Sequence, residues 1–235
     1  MQTQLLNYEF MGREFFKILS ALPVTLKIVI ITMFFSLIFS FFIAQVRVNK
    51  VKVGSQLASF YVSFIRGTPL LVQLYLVYYG IPKFLNYMNE TVGWNVDVTK
   101  IPKVLIVYIA FILNTSAYMS ETFRGAIMAV DKGQIEAGLS IGMNKWQITK
   151  RIILPQAFII ALPNLGNSFI GIIKSSSLAF TVAVTELMGK AKVVGAEGLN
   201  FFEVYIIVSC IYWVLCIMVE RITYYLENKL RISNK

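Results

Sequence analysis

The chain is 235 residues long, 57% hydrophobic and only 14% charged, with a mean hydropathy of +0.68, far from the roughly one-quarter charged residues of a soluble domain. Its formal net charge of +10 does not mark a nucleic-acid binder, because the lysines and arginines fall between long apolar runs, the arrangement by which membrane proteins set their orientation. Histidine is absent, which excludes any His-based metal site, proton relay or nucleophile–His pair within the chain.

In chain order, the start from Met1 to Lys17 is mixed polar and aromatic, without the basic stretch and small-residue cleavage site of a signal peptide. Leu5 to Phe16 reads either as an amphipathic helix in the outer interface or as a frayed anchor. A bilayer core needs about 20 apolar residues in helical form, and five segments qualify. The first runs from Ile18 to Val46, and the second from Leu57 to Tyr79, broken at Arg66-Gly67-Thr68-Pro69. The others are Val104 to Thr122, Ala157 to Thr181, and Val204 to Val219. The connection from Ile81 to Lys103 is too short for a domain. Cys210 and Cys216 lie on different faces of the last segment at roughly 100° per residue, so they read as inert filler. The expected fold is all-α and integral to the membrane, with five transmembrane helices in one domain over residues 1–235.

Orientation follows from the basic residues in the connections. One side receives Arg47, Lys50 and Lys52, then Arg124, Lys132, Lys145, Lys150 and Arg151, then Arg221, Lys229, Arg231 and Lys235. The other receives Arg13, Lys17, Lys83, Lys100, Lys103, Lys190 and Lys192. The first set is larger and is placed in the cytoplasm, with the N-terminus outside and the C-terminus inside.

The cytoplasmic loop from about Arg124 to Pro155 has its own architecture. Asp131 with Gln134, and Asn144 with Gln147, both have the spacing of a capping box. The spacing predicts a short helix through Glu136, Ala137 and Leu139 that ends at Gly142, and a second from Lys145 to Leu154. Ser140, Ile141, Met143, Asn144 and Trp146 then face the cytoplasm. A mere connector needs only a few residues, so the loop reads as a docking knob for a soluble partner, with a self-packed connector as the alternative.

Glu136-Ala137-Gly138, Gly142 and Ile152-Ile153-Leu154-Pro155 resemble the EAA loop of ATP-binding-cassette importer permeases: Glu-Ala-Ala, three residues, Gly, nine residues, Ile-x-Leu-Pro. The one departure is Gly138, where the family usually has Ala, at roughly 1 kcal/mol of helix propensity. Phe64 to Gln73, Glu121-Thr122-Phe123-Arg124-Gly125, Leu162 to Asn167 and Lys174 to Leu178 are similar to the polar amino acid uptake branch. The resemblance implies the MetI-like permease fold of type I importers in a bacterial cell membrane. It also implies two facing permease subunits, identical or paralogous, two ATPase subunits that bind the ATP and Mg, and an extracytoplasmic solute-binding protein. In such permeases the loop (Glu136, Ala137, Gly138, Ser140 to Asn144, Trp146) fits a groove on the ATPase. No cofactor is expected in this chain, which lacks a phosphate-cradling Walker loop.

Charges inside a membrane are costly and flag function or packing. Arg66 and Glu121 are expected to form a buried ion pair fixing two spans, in preference to a substrate role. In the fourth span, Pro163-Asn164-Leu165-Gly166-Asn167-Ser168 is expected to break the helix beside the permeation path. Asn164, Asn167 and Ser168 offer neutral hydrogen bonds to an amino acid, and Lys174 with Ser175, Ser176 and Ser177 offers an anion-facing cluster. Helix packing through small residues is the alternative. The fourth span carries no acid, and Ser175 stands where many relatives carry Asp. A cationic amino acid would lack a counter-charge there. Ser177 to Thr181, Glu186 to Lys192 and Tyr212 to Cys216 resemble permeases of the L-cystine group. The expected function is import of a polar amino acid, L-cystine or a related neutral one, with cationic amino acids or glutamine as alternatives. An ion-driven secondary transporter is the reading from another class, disfavoured because no inverted repeat is visible.

Overall fold

The computed structural model describes residues 6–232, and every regular element among them is helical. Helices α2 (Leu22–Val48) and α5 (Lys103–Met128) run parallel to each other at the centre, packed along most of their length. The reason lies in α2, whose buried face is Thr25, Ile28, Val29, Thr32, Ser36, Ser40 and Ala44, a stripe at three- and four-residue spacing. Small side chains let two backbones approach, and Ser36 Oγ donates to the Ile112 carbonyl of α5 at 3.3 Å. The opposite face exposes Phe34, Phe35, Phe39 and Phe42. Small and polar inside, large and apolar outside is the distribution expected where lipid replaces water.

Helix α8 (Leu154–Ser175) runs antiparallel to this pair and α10 (Phe201–Ile232) antiparallel to α8. Among the described residues four helices are long and apolar enough to cross a membrane. The pair α3 (Lys52–Arg66) and α4 (Leu70–Val92) makes a fifth span if taken together, bent by 110° at the break. The molecule is therefore a multi-pass membrane protein.

Several boundaries differ from the sequence expectation. The first span begins at Leu22, because the chain turns at Ser20, whose hydroxyl donates to the Lys17 carbonyl at 2.7 Å. Pro23 then sits in the first turn of α2, where its missing N–H costs nothing. The preceding stretch forms α1 (Tyr8–Leu19), seated through Phe10 and Ile18 on α9 (Leu187–Gly198) and α10, so it is docked and not frayed; Leu5 lies outside the described residues. Helix α4 continues through Pro82 to Val92, well into the expected outer loop. Helix α5 runs to Met128, and α10 extends past both expected ends.

The larger correction concerns the fourth span. Pro163 lies inside α8 without interrupting it. The helix is continuous from α7 (Lys145–Ile148) through a π-helical stretch at Thr149–Ile153 into α8, then tightens to a 3₁₀ segment at Ser176–Val182. Beyond it, buried Glu186 caps α9, accepting from Met188 N at 3.0 Å, Gly189 N at 2.8 Å and the Tyr212 hydroxyl at 2.7 Å. Burial pushes this carboxyl above its ordinary value.

Candidate functional site

A cavity of about 570 Å³ lies between α5 and α8, beside the α3–α4 break. On α8 it is lined by Asn164, Asn167, Ser168, Gly171 and Ser175, spaced so that they share one helix face. Of the expected substrate residues, Asn164, Asn167, Ser168 and Ser175 therefore come together. Lys174, Ser176 and Ser177 do not. Lys174 points away and is exposed, and Ser177 Oγ donates to its carbonyl at 2.9 Å. Ser176 is fully buried and donates to the Ile173 carbonyl at 2.7 Å. The expected anion-facing cluster is split because these residues lie on other sides of the helix, which tightens at Ser176.

The facing wall, Asn114, Thr115, Tyr118 and Thr122, comes from α5. Sequence reasoning passed over these residues, although Asn114, Tyr118 and Thr122 recur at four-residue spacing in an apolar span. Asn114 Nδ2 donates to Gln73 Oε1 at 2.9 Å. Gln73, almost fully buried, donates in turn to the Ile65 carbonyl at 2.8 Å and to the Thr68 carbonyl at 3.1 Å. Those bonds satisfy backbone freed where Gly67 ends α3 and Pro69 starts α4, as buried polar groups require.

At one end of the cavity stand Arg66, Tyr118 and Glu121. Glu121 is half-buried and its near partners are Arg47 and Arg124, the latter through Nη2 at 2.7 Å and Nε at 2.9 Å. Arg66, the expected partner, stands at 4.0 Å with its guanidinium over the Tyr118 ring, 5.7 Å from the centroid. The expected two-residue pair is thus one contact of a larger cluster, in which Arg47 at the end of α2 takes the place foreseen for Arg66.

The loop between α5 and α8 holds α6 (Lys132–Ser140) and α7. Asp131 caps α6 by accepting from Gly133 N at 2.8 Å, while Gln134 does not reach back; it accepts from Gln156 Nε2 at 2.5 Å instead. Asn144 and Gln147 do form the reciprocal capping box at α7. Between the helices Gly142 adopts φ +81°, a conformation glycine takes freely. Ile141 and Trp146 project outward at 79% and 67% exposure, with Leu139 beside them and Met143 partly covered. Glu136, Ala137, Ser140 and Asn144 are also exposed, whereas Gly138 is buried at the crossing with Ile148 and Ile152.

The family described as "Binding-protein-dependent transport system inner membrane component" matches residues 36–232, from the middle of α2 to the end of α10. The chain belongs to that family. Permeases of this family are transporter subunits whose ATP is hydrolysed by a separate ATPase. The permease is 42% identical over 213 residues, 91% of each chain, to the probable amino-acid permease protein YxeN of Bacillus subtilis. It is 43% identical to the probable amino-acid ABC transporter permease protein PatM of Vibrio harveyi, over 94% of this chain and 97% of that one. A third relative, the L-cystine transport system permease protein TcyB of Bacillus subtilis, is 38% identical over 95% and 91% of the two chains. Among solved structures, an amino acid ABC transporter crystallised with histidines superposes with a TM-score of 0.84 at 32% identity, covering 96% of this permease and all of that chain. The methionine transporter MetNI, in an inward-facing conformation, shares the fold at a TM-score of 0.61 and 16% identity. The permease therefore sits among the amino-acid ABC importers, with the MetI-like fold.

Proposed function

We propose that this permease forms the translocation path for a neutral polar amino acid, L-cystine or a close relative, and couples it to ATP hydrolysis in a partner subunit. One relationship carries the proposal. A single unbroken helix from Lys145 to Ser175 bears the exposed loop tip at one end and the polar cavity wall at the other. Trp146 and Asn167 are 21 residues apart on it, roughly 30 Å at the α-helical rise. Displacement of the tip by an ATPase is thereby carried to Asn164, Asn167 and Ser168.

The cavity chemistry favours a neutral solute. Its walls offer amides and hydroxyls, which donate and accept hydrogen bonds without a charge to match. The one carboxylate at its edge, Glu121, is already engaged by two arginines, so a cationic side chain would find no free counter-charge. Relatives named for L-cystine fit this choice; others are named for nopaline and glutamine, which keeps the alternatives within reach of a substrate scan.

In this reading the exposed tip residues Glu136, Ala137, Ser140, Ile141, Gly142, Asn144 and Trp146, with the partly covered Met143, form the contact with the ATPase, which binds the ATP and Mg, while buried Gly138 packs beneath them against Ile148 and Ile152. A second permease subunit, identical or paralogous, faces the cavity, and an extracytoplasmic solute-binding protein delivers the amino acid. The loop end is cytoplasmic and the N-terminus outside.

The test is uptake of labelled amino acids into vesicles holding the permease, its ATPase and its binding protein. Parent uptake should require ATP and favour cystine or another neutral polar amino acid. Asn167→Leu should abolish uptake, and so should Gly142→Pro, because proline cannot adopt positive φ. Uptake that ignores ATP and the loop change would instead support an ion-driven transporter, and a preference for arginine, lysine or histidine would overturn the neutral-solute reading.

A further inference from the structure

We infer that Arg66 docks the α-carboxylate of the transported amino acid, at a throat between two cavities. The inference rests on the cavity being the amino acid site and adds a charged anchor to its neutral walls. A second cavity of about 490 Å³ lies between α2, α3 and α5, with Arg47, Ser59 and Ser63 in its lining. The two cavities share three residues, Arg66, Tyr118 and Glu121, so the boundary between them is this trio.

Charge at that boundary does not balance. Glu121 gives both carboxylate oxygens to Arg47 and Arg124, through hydrogen bonds between ionised groups, the strong kind. Arg66 stands 4.0 Å off, beyond hydrogen-bonding reach, and no other carboxylate among the described residues lies within 4 Å of it. Its side chain is 48% exposed, against 19% for Glu121 and 16% for Arg47. Three guanidiniums therefore surround one carboxylate, leaving excess positive charge, and Arg66 is the arginine of the three that lines both cavities.

Guanidinium presents paired donors in the plane a carboxylate matches. A contact over the Tyr118 ring holds the group without using those donors. The residue is also the last of α3, next to the Gly67 corner, where a side chain can follow a ligand from one cavity to the other. An amino acid lying against Asn164 and Asn167 has an anionic α-carboxylate to place (cystine carries one at each end), and Arg66 is the cation of that cavity not already paired at hydrogen-bonding distance.

The experiment measures equilibrium binding of L-cystine and L-glutamine to the purified permease–ATPase complex in nanodiscs, without solute-binding protein. Each is compared with its α-carboxamide counterpart (for cystine, the form amidated at both α-carboxylates), in the parent, Arg66→Gln, Arg66→Lys and Asn167→Leu. The acid-to-amide preference is a ratio within one preparation, so it is independent of how much of a variant is folded. The parent should prefer the acid by roughly ten- to a hundredfold, the worth of one charge-assisted hydrogen bond. Arg66→Gln should bring the ratio close to parity, with Arg66→Lys in between, whereas Asn167→Leu should weaken acid and amide together and keep the ratio. An unchanged ratio in Arg66→Gln overturns the role of Arg66 and leaves the cavity assignment standing. Binding untouched by Asn167→Leu, or absent for both amino acids in the parent, overturns the cavity assignment and this inference with it.

Discussion

Asn114 and Gln73, 41 residues apart, are joined by a side-chain hydrogen bond of 2.9 Å that ties the cavity wall on α5 to the corner between α3 and α4. The bond matters because Gln73 also holds that corner together from within, through Ile65 and Thr68. A span bent by 110° exposes backbone groups that lipid cannot satisfy. One buried glutamine supplies the missing partners on one side and positions a cavity residue on the other.

Gln73→Leu should therefore be costly although it is nearly isosteric and more apolar. It leaves the Ile65 carbonyl and the Asn114 amide without their partner, at about 1–3 kcal/mol for each buried group left unsatisfied. Asn114→Ala should cost less, since it removes one bond and leaves the corner intact. Thermal unfolding in detergent ranks the two. Equal midpoints for both variants would mean that the corner does not depend on Gln73.

Trp146 makes the opposite kind of prediction. Its side chain is exposed at the loop tip, so Trp146→Ala should alter the stability of the isolated permease by no more than about 0.5 kcal/mol. Association with the ATPase should weaken by about 2 kcal/mol or more, the loss typical of a buried aromatic anchor at an interface, which is roughly thirtyfold in Kd. The two measurements, unfolding midpoint and ATPase affinity, separate docking from folding. A loss of stability with unchanged affinity would make the loop a self-packed connector.

The sequence was most legible where lipid sets the rule and least where one side chain serves two elements. The apolar runs located every membrane helix, because about 20 apolar residues have little alternative in a bilayer. The capping box at Asn144 was readable because both of its partners lie within four consecutive residues. At Asp131 the same spacing misled, since Gln134 finds a partner in Gln156, 22 residues away, which no local pattern encodes. Pro163 was read as a break, yet α8 continues past it, held by packing on α5 and α10. Glu121 was recognised as a paired acid, but the choice of Arg47 over Arg66 depends on how α2 lies against α5. Gly138 looked like a tolerated departure from alanine. In the fold it is a seat, where a Cβ would come within 3.1 Å of Ile152 and 3.2 Å of Ile148.

Glu186 links the start of α9 to α10 through its carboxylate, so its removal should be felt beyond one helix end. Glu186→Ala takes the cap from α9, worth about 0.5–2 kcal/mol, and also leaves the Tyr212 hydroxyl without its acceptor. Tyr212→Phe should cost less, and the double variant less than the sum, because the two share one bond. Burial raises the carboxyl in the folded state, so the protonated form is relatively favoured there. The stability this contributes is full below the ordinary glutamate value and is lost as pH rises through the folded one. Glu186→Gln should flatten that dependence, and an unchanged profile of unfolding midpoint against pH would rule out Glu186 as its source.

Gly166 offers the sharpest test of helix packing. It lies on α8 with its face against Thr223 of α10, and a Cβ there would come within 2.5 Å of the threonine Cγ2 and Oγ1 and 3.0 Å of its Cβ. Close approach through a small residue is how helices associate in lipid, where no hydrophobic force draws them together. Gly166→Ala therefore has to push α10 away or twist Thr223, at about 1–3 kcal/mol for overpacking, despite the helix propensity alanine adds. Thr223→Ala removes both of the nearest atoms and should restore most of the stability lost by Gly166→Ala, while costing little alone. The double-mutant cycle on unfolding midpoints reads this coupling directly. Additive effects would show that α8 and α10 do not meet at this pair.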